Sequence, residues 1–89
     1  MSPQARYNLP PELSGLMRGE METVISQANL GQENERIAKL YYVDKRPQID
    51  VASELYLGRA TVQRRLPGIL DRMRKTSSRL YSETRNGRK

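Results

Sequence analysis

Length, composition and charge restrict what this chain can be. Its 89 residues suffice for one domain with a modest core, and they contain no Cys and no His. The sequence thus offers no disulfide framework, no thiolate metal site, no histidine base and no glycine-rich phosphate loop. We therefore expect no enzymatic activity, no metal or cofactor and no small-molecule substrate. No apolar run reaches the roughly 20 residues of a membrane span, so we expect a cytoplasmic protein without a membrane partner.

The net charge of +6 is unevenly distributed along the chain. Residues 1–44 carry four Lys and Arg against six Asp and Glu, a net charge of −2, whereas residues 45–89 carry twelve against four, a net charge of +8. A basic half beside a mildly acidic half indicates one end that binds a polyanion and another end with a different role. Charge alone does not distinguish this arrangement from a basic surface that merely faces solvent.

The chain begins with an arm and an amphipathic helix. Residues 1–9 lack any periodicity, which predicts a flexible N-terminal arm. Apolar residues with helical spacing follow the Pro10-Pro11 pair and predict a first helix over about 11–29, ended by Gly31. We expect residues 10–81 to form a single all-α domain of four helices, and residues 82–89 to be a disordered basic tail.

A second helix is predicted over about 32–43, with Ile37 and its apolar neighbours facing inward. Three tyrosines lie in or after the second and third helices: Tyr41, Tyr42 and Tyr56. Their rings can stack on nucleic-acid bases, but their apolar neighbours favour positions in the core or at its edge.

The third and fourth helices form the pattern that organises the rest of the chain. The third is predicted over about 47–56 and the fourth over about 59–80, with Gly58 in the turn between them. Two helices joined by so short a turn meet at a steep angle, which predicts a helix-turn-helix unit over residues 47–74. Pro67 predicts a kink near residue 67 and not a stop, because the apolar series continues in phase beyond it.

The outward face of the fourth helix carries basic and amide side chains of the kind that bind DNA. We interpret residues 59–66 as a recognition helix for the major groove, since Arg recognises guanine and Gln recognises adenine. The candidate base contacts are Arg59, Ala60, Gln63 and Arg64. The candidate phosphate contacts are Lys45, Arg46, Gln48, Thr61, Arg65 and Arg72.

The same stretch resembles a known family. The pattern Val51-Ala52-x-x-Leu55-x-Leu57-Gly58-x-x-Thr61-Val62-x-x-x-Leu66-x-x-Ile69-Leu70 is similar to the DNA-binding domain of LuxR-type regulators and to the fourth conserved region of bacterial sigma factors. The resemblance covers about residues 33–74 and implies sequence-specific binding of double-stranded DNA by a transcription regulator. The Pro67-Gly68 pair interrupts a helix that the family keeps continuous, and residues 10–30 have no counterpart in its minimal domain. Among small stand-alone proteins, the pattern looks like phage regulators of the ArpU and RinA groups.

Two other functions remain open at this point. One is a phage terminase small subunit or a replication-type DNA-binding adaptor, and the other is a sigma-like adaptor that contacts RNA polymerase. A single helix-turn-helix reads few base pairs, so we also expect a second copy or a partner. LuxR-type domains pair through the helix that follows the recognition helix. The distal half of the fourth helix is also expected to extend past the other helices, so the candidate homodimer contacts are Ile69, Leu70, Met73 and Leu80.

Overall fold

Helices account for all the regular secondary structure in the described part of the chain, which confirms the prediction of an all-α fold. A computed structural model describes the backbone of residues 9–86 and the side chains of residues 9–81. The helices are α1 (Pro11–Ser14), α2 (Arg18–Gln27), α3 (Gln32–Ala38), which continues directly into a π-helical turn (Lys39–Val43), α4 (Gln48–Leu55) and α5 (Arg59–Asn86). Residues 1–8 of the predicted arm and residues 87–89 of the predicted tail lie outside the described residues.

The first predicted helix is two helices, so the prediction of one continuous helix over 11–29 is wrong. Leu13 at the end of α1 is fully buried, but Gly15 to Met17 leave the helical conformation. The Met17 N–H donates to the Glu20 side chain at 2.9 Å, which starts α2 with a new cap. Met17 shares the apolar spacing of its neighbours, yet it is 73% exposed because the break rotates it out of the stripe.

The connection between α2 and α3 differs from the predicted one. Asn29, and not Gly31, takes the left-handed conformation after α2, with φ 57°. Asn tolerates that conformation better than most residues with a Cβ. Gly31, with φ 91°, instead leads into α3. The change of chain direction after α2 therefore uses both Asn29 and Gly31, whereas the sequence pattern assigns it to Gly31 alone.

The π-helical turn packs three consecutive side chains into the core. The Asp44 N–H donates to the Lys39 carbonyl at 2.9 Å, one residue farther back than in an α-helix. The wider turn buries Tyr41, Tyr42 and Val43. This confirms the prediction of core positions for Tyr41 and Tyr42, whose rings meet edge to face with centroids 4.9 Å apart.

Helix α5 is the element against which the other four helices pack. It runs through Pro67 without ending, and it continues to Asn86, so residues 82–86 of the predicted tail belong to this helix. Between Gly68 and Gly87 the sequence contains no residue that strongly opposes a helix. The inward face of α5 is formed by Val62, Leu66, Ile69, Met73, Thr76 and Ser77.

Burial corrects half of the predicted dimer contact. Ile69 is 2% exposed and Met73 is fully buried, because the distal half of α5 packs on α1 and α2. The Ser77 hydroxyl also donates a hydrogen bond to the Glu12 carbonyl in α1. Ile69 and Met73 therefore have no surface to offer a second copy. Leu70 and Leu80 are only half-buried and retain that prediction. None of the described helices combines the length and the apolar character that crossing a bilayer requires.

Candidate nucleic-acid interface

The turn between α4 and α5 is closed by two backbone hydrogen bonds. The Leu57 N–H donates to the Ala52 carbonyl at 2.9 Å, and the Tyr56 N–H donates to the Ser53 carbonyl at 3.3 Å. This is a Schellman motif, in which the residue after the helix adopts the left-handed conformation. That residue is Tyr56, with φ 58° and ψ 40°. Gly58 instead precedes α5, where its carbonyl accepts the N–H of Val62 at 3.2 Å.

Tight packing behind the turn fixes α5 relative to α4. Val51 and Val62 are fully buried, and Ala52 is 4% exposed. The small Ala52 side chain allows the two helices to approach closely where they diverge from the turn. The first two turns of α5 are therefore held on one side and face away from the domain on the other.

The four candidate base contacts all lie on that outward side. Arg59, Ala60, Gln63 and Arg64 are exposed. None of their side chains makes a hydrogen bond or an ion pair with another described residue, so their donors and acceptors are available to a ligand. Ala60 adds no bulk beside Arg64, which leaves room for a surface to approach the helix closely.

The basic face ends two turns beyond Arg64, at Asp71. Arg74 Nη2 lies 2.8 Å from one Asp71 carboxylate oxygen, and Lys75 Nζ lies 3.2 Å from the other. Hydrogen bonds from Arg74 first, and then from Lys75, lower the pKa of the Asp71 carboxyl below its ordinary value. The carboxylate in turn offsets the charge of both bases, which separates the basic start of α5 from the exposed Arg79 farther along the helix.

Three of the candidate phosphate contacts lie before or at the start of α4. Lys45 is exposed, and Arg46 is half-buried with Nη2 3.4 Å from Glu54 Oε1. Gln48 is half-buried and lines, together with Gln63, an open depression of about 300 Å³. The Gln48 side chain therefore lies beside Gln63 at the edge of the outward face of α5. This position suits a side chain that contacts a DNA phosphate next to a residue that contacts a base.

The other candidate phosphate contacts differ in their surroundings. Thr61 is half-buried in the first turn of α5. Arg65 Nη1 lies 2.6 Å from Glu33 Oε1 and 3.2 Å from Asn34 Oδ1, both in the first turn of α3. Arg65 thus lies at the edge of the outward face and is engaged by α3.

Arg72 is used by the fold. Its Nε donates to the Ala28 carbonyl and its Nη2 to the Asn29 carbonyl, each at 3.3 Å. These carbonyls are at the end of α2, where a cation is favourable. At 1.5 Å per residue, Arg72 is about 20 Å along α5 from Arg59. The structure therefore separates it from the candidate base contacts.

Sequence reasoning missed the exposure of two apolar side chains near this surface. Tyr56 is 96% exposed, so the prediction that it lies in the core or at its edge is wrong. The left-handed conformation at the end of α4 turns its side chain away from the helix stripe. Ile49, on the outer side of α4, is 58% exposed. Sequence reasoning also missed the carboxylates that accept hydrogen bonds from Arg46 and Arg65. Glu54 comes eight residues after Arg46, and Glu33 lies in a different helix from Arg65.

The described residues contain no group of three or more acidic side chains placed to hold a metal ion. Comparisons of the chain with protein-family models, with curated proteins and with solved structures gave no match.

Proposed function

We propose that this protein binds double-stranded DNA sequence-specifically, with residues 59–66 of α5 in the major groove. One observation carries the proposal: Arg59, Gln63 and Arg64 are exposed and have no partner among the described residues, on a helix whose opposite face is fixed against α4. A helix of this width fits the major groove of B-DNA, where Arg pairs with guanine and Gln with adenine. Five further side chains then border the groove near the phosphates: Lys45, Arg46, Gln48, Thr61 and Arg65. Contacts to phosphates set the register of the protein on the duplex.

The biological role that this activity suggests is that of a transcription regulator in the cytoplasm. Its likeness to LuxR-type and sigma-like domains supports that role, and its likeness to the ArpU and RinA groups supports a phage regulator. Because one recognition helix reads few base pairs, the proposal includes a homodimer or RNA polymerase as the partner that adds selectivity.

The decisive experiment compares selected and mixed-sequence DNA. Fragments that the protein enriches from genomic DNA supply the selected site, and its footprint gives the number of half-sites. We expect Arg64→Ala to weaken binding to the selected site by about 1–3 kcal/mol, and to weaken binding to mixed-sequence duplex far less. A matched Arg79→Ala variant, which removes an exposed charge late in α5, should not reduce this discrimination.

Equal losses of affinity on the two DNAs would contradict base recognition by Arg64. If the wild type binds neither DNA, the result would favour a second function, that of an adaptor that binds RNA polymerase. The specific observation behind that second function is the exposure of Ile49 and Tyr56 on the outer side of α4 and its turn, because exposed apolar side chains suit a protein partner.

A further inference from the structure

We infer that Glu33 and Glu54 regulate the proposed DNA interface by occupying its two bordering arginines in the free protein. Glu33 engages Arg65 and Glu54 engages Arg46. In each case a DNA phosphate competes with the carboxylate for the guanidinium, so the pair weakens what the arginine contributes to binding. The inference rests on the proposed function, because it concerns the same surface and the same ligand.

The first pair joins α3 to the recognition helix. Arg65 Nη1 lies 2.6 Å from Glu33 Oε1 and also donates a hydrogen bond to Asn34 Oδ1. The side chains of Arg65 and Glu33 are 37% and 51% exposed, so water reaches both. An exposed ion pair is weak in water, and an incoming phosphate can therefore exchange with the carboxylate at little cost in folding stability.

The second pair borders the other helix of the unit. Arg46 Nη2 lies 3.4 Å from Glu54 Oε1, with side-chain exposures of 40% and 50%. Arg46 precedes α4, and Glu54 is in its last turn. The two ion pairs therefore have the same composition and similar exposure, and each involves an arginine that the sequence assigns to phosphate contact.

The two carboxylates reduce attraction to any DNA. Sequence-independent binding depends on how many phosphates the protein neutralises and on how many counterions are released as a result. Each glutamate cancels one positive charge at the border of the interface, so each reduces this sequence-independent binding. The base contacts at Arg59, Gln63 and Arg64 have no such competitor among the described residues. A complex with the selected site therefore gains affinity from base contacts that mixed-sequence DNA does not provide.

The test removes the charge of each acid while keeping its size. We expect Glu33→Gln and Glu54→Gln each to tighten binding to a mixed-sequence duplex of about 30 bp by up to about five-fold, the factor that corresponds to an exposed ion pair. The slope of log affinity against log salt should steepen by up to about one per variant. Equilibrium titrations over a range of salt concentrations measure both quantities.

Each variant has a matched control in its own helix. Glu35→Gln removes the same charge from the first turn of α3, and Asp50→Asn removes one from the first turn of α4. Among the described residues, neither acid forms an ion pair with an arginine. In an Arg65→Ala background, the gain from Glu33→Gln should fall to the gain from the control Glu35→Gln, since the competition needs both partners.

Two results would overturn the inference. One is an equal gain from each control, which would show only a general change in charge. The other is an undiminished gain from Glu33→Gln in the Arg65→Ala background. Either result can occur while Arg64→Ala still reduces discrimination, so the inference then fails alone. A wild type that binds neither DNA removes the proposed function and this inference together.

Discussion

Tyr42 shows how a single buried residue makes the fold sensitive to pH. Its phenol is in the core of the π-helical turn, 6% exposed, beside Tyr41. Burial raises the pKa of the Tyr42 hydroxyl well above its ordinary value, and the neighbouring Tyr41 raises it further. The folded protein therefore holds Tyr42 neutral at a pH where the unfolded chain ionises.

We predict an alkaline loss of stability that Tyr42→Phe reduces. The contribution of Tyr42 is fully present below the ordinary tyrosine pKa near 10, and it is lost as pH rises toward the raised pKa in the folded state. The loss should have a slope of at most about 1.4 kcal/mol per pH unit. Urea unfolding between about pH 8 and pH 11 measures it, with Tyr56→Phe as the control, because the Tyr56 hydroxyl meets water in both states. Identical profiles for the wild type and Tyr42→Phe would contradict the prediction.

Single residues were also where sequence reasoning reached its limit. It expects Gly58 in the turn, where Gly58 lies. It gives no sign that Tyr56 is the residue in the left-handed conformation. The partners of Arg65 and Arg72 come from α3 and from the end of α2. Such partners depend on how helices pack, and local spacing cannot reveal them.

At the scale of elements, apolar spacing predicted positions well and boundaries less well. The inward residues of α4 and the start of α5 were predicted correctly, since their spacing follows the helix period. The break after α1 was missed because the apolar stripe continues in phase across it. Only the side chain of Glu20, which caps the new helix at Met17, distinguishes two helices from one.

Pro67 is the clearest conflict between local preference and the observed element. It lies inside α5, has no N–H to bond the Gln63 carbonyl, and is exposed. Gly68 beside it has no described atom within 4 Å of where a Cβ would stand, so close packing does not require glycine there. Tertiary contacts on both sides of the pair, at Leu66 and Ile69, hold the helix together across it.

We predict that Pro67→Ala stabilises the fold. Alanine restores one backbone hydrogen bond and removes the clash with the preceding turn, a gain of up to about 3 kcal/mol. The midpoint temperature of thermal unfolding and the midpoint urea concentration should both increase. Gly68→Ala is the comparison, with an expected gain of about 1 kcal/mol from helix preference alone. A lower stability of Pro67→Ala than of the wild type would show that the proline ring contributes packing in the depression that it lines.

At the scale of the molecule, the core limits where a second copy can attach. Sequence reasoning assumed that the distal half of α5 extends beyond the other helices and leaves its apolar side uncovered. In the structure α1 and α2 cover that side, so Ile69 and Met73 belong to the core of one chain. Of the residues predicted to form the dimer contact, Leu70 and Leu80 remain half-exposed.

We predict that two copies bind one selected DNA site, and that Leu80 contributes to their contact. A recognition helix alone reads too few base pairs to select a site in a genome, and two half-sites one helical turn apart remove that limit. Leu80→Glu should reduce the load on a labelled duplex from two copies toward one, measured by sedimentation, while the helical circular dichroism is retained. Met73→Glu buries a charge in the core and should unfold the protein instead. One copy per duplex in the wild type, with a footprint of a single half-site, would contradict the dimer and leave RNA polymerase as the partner that supplies selectivity.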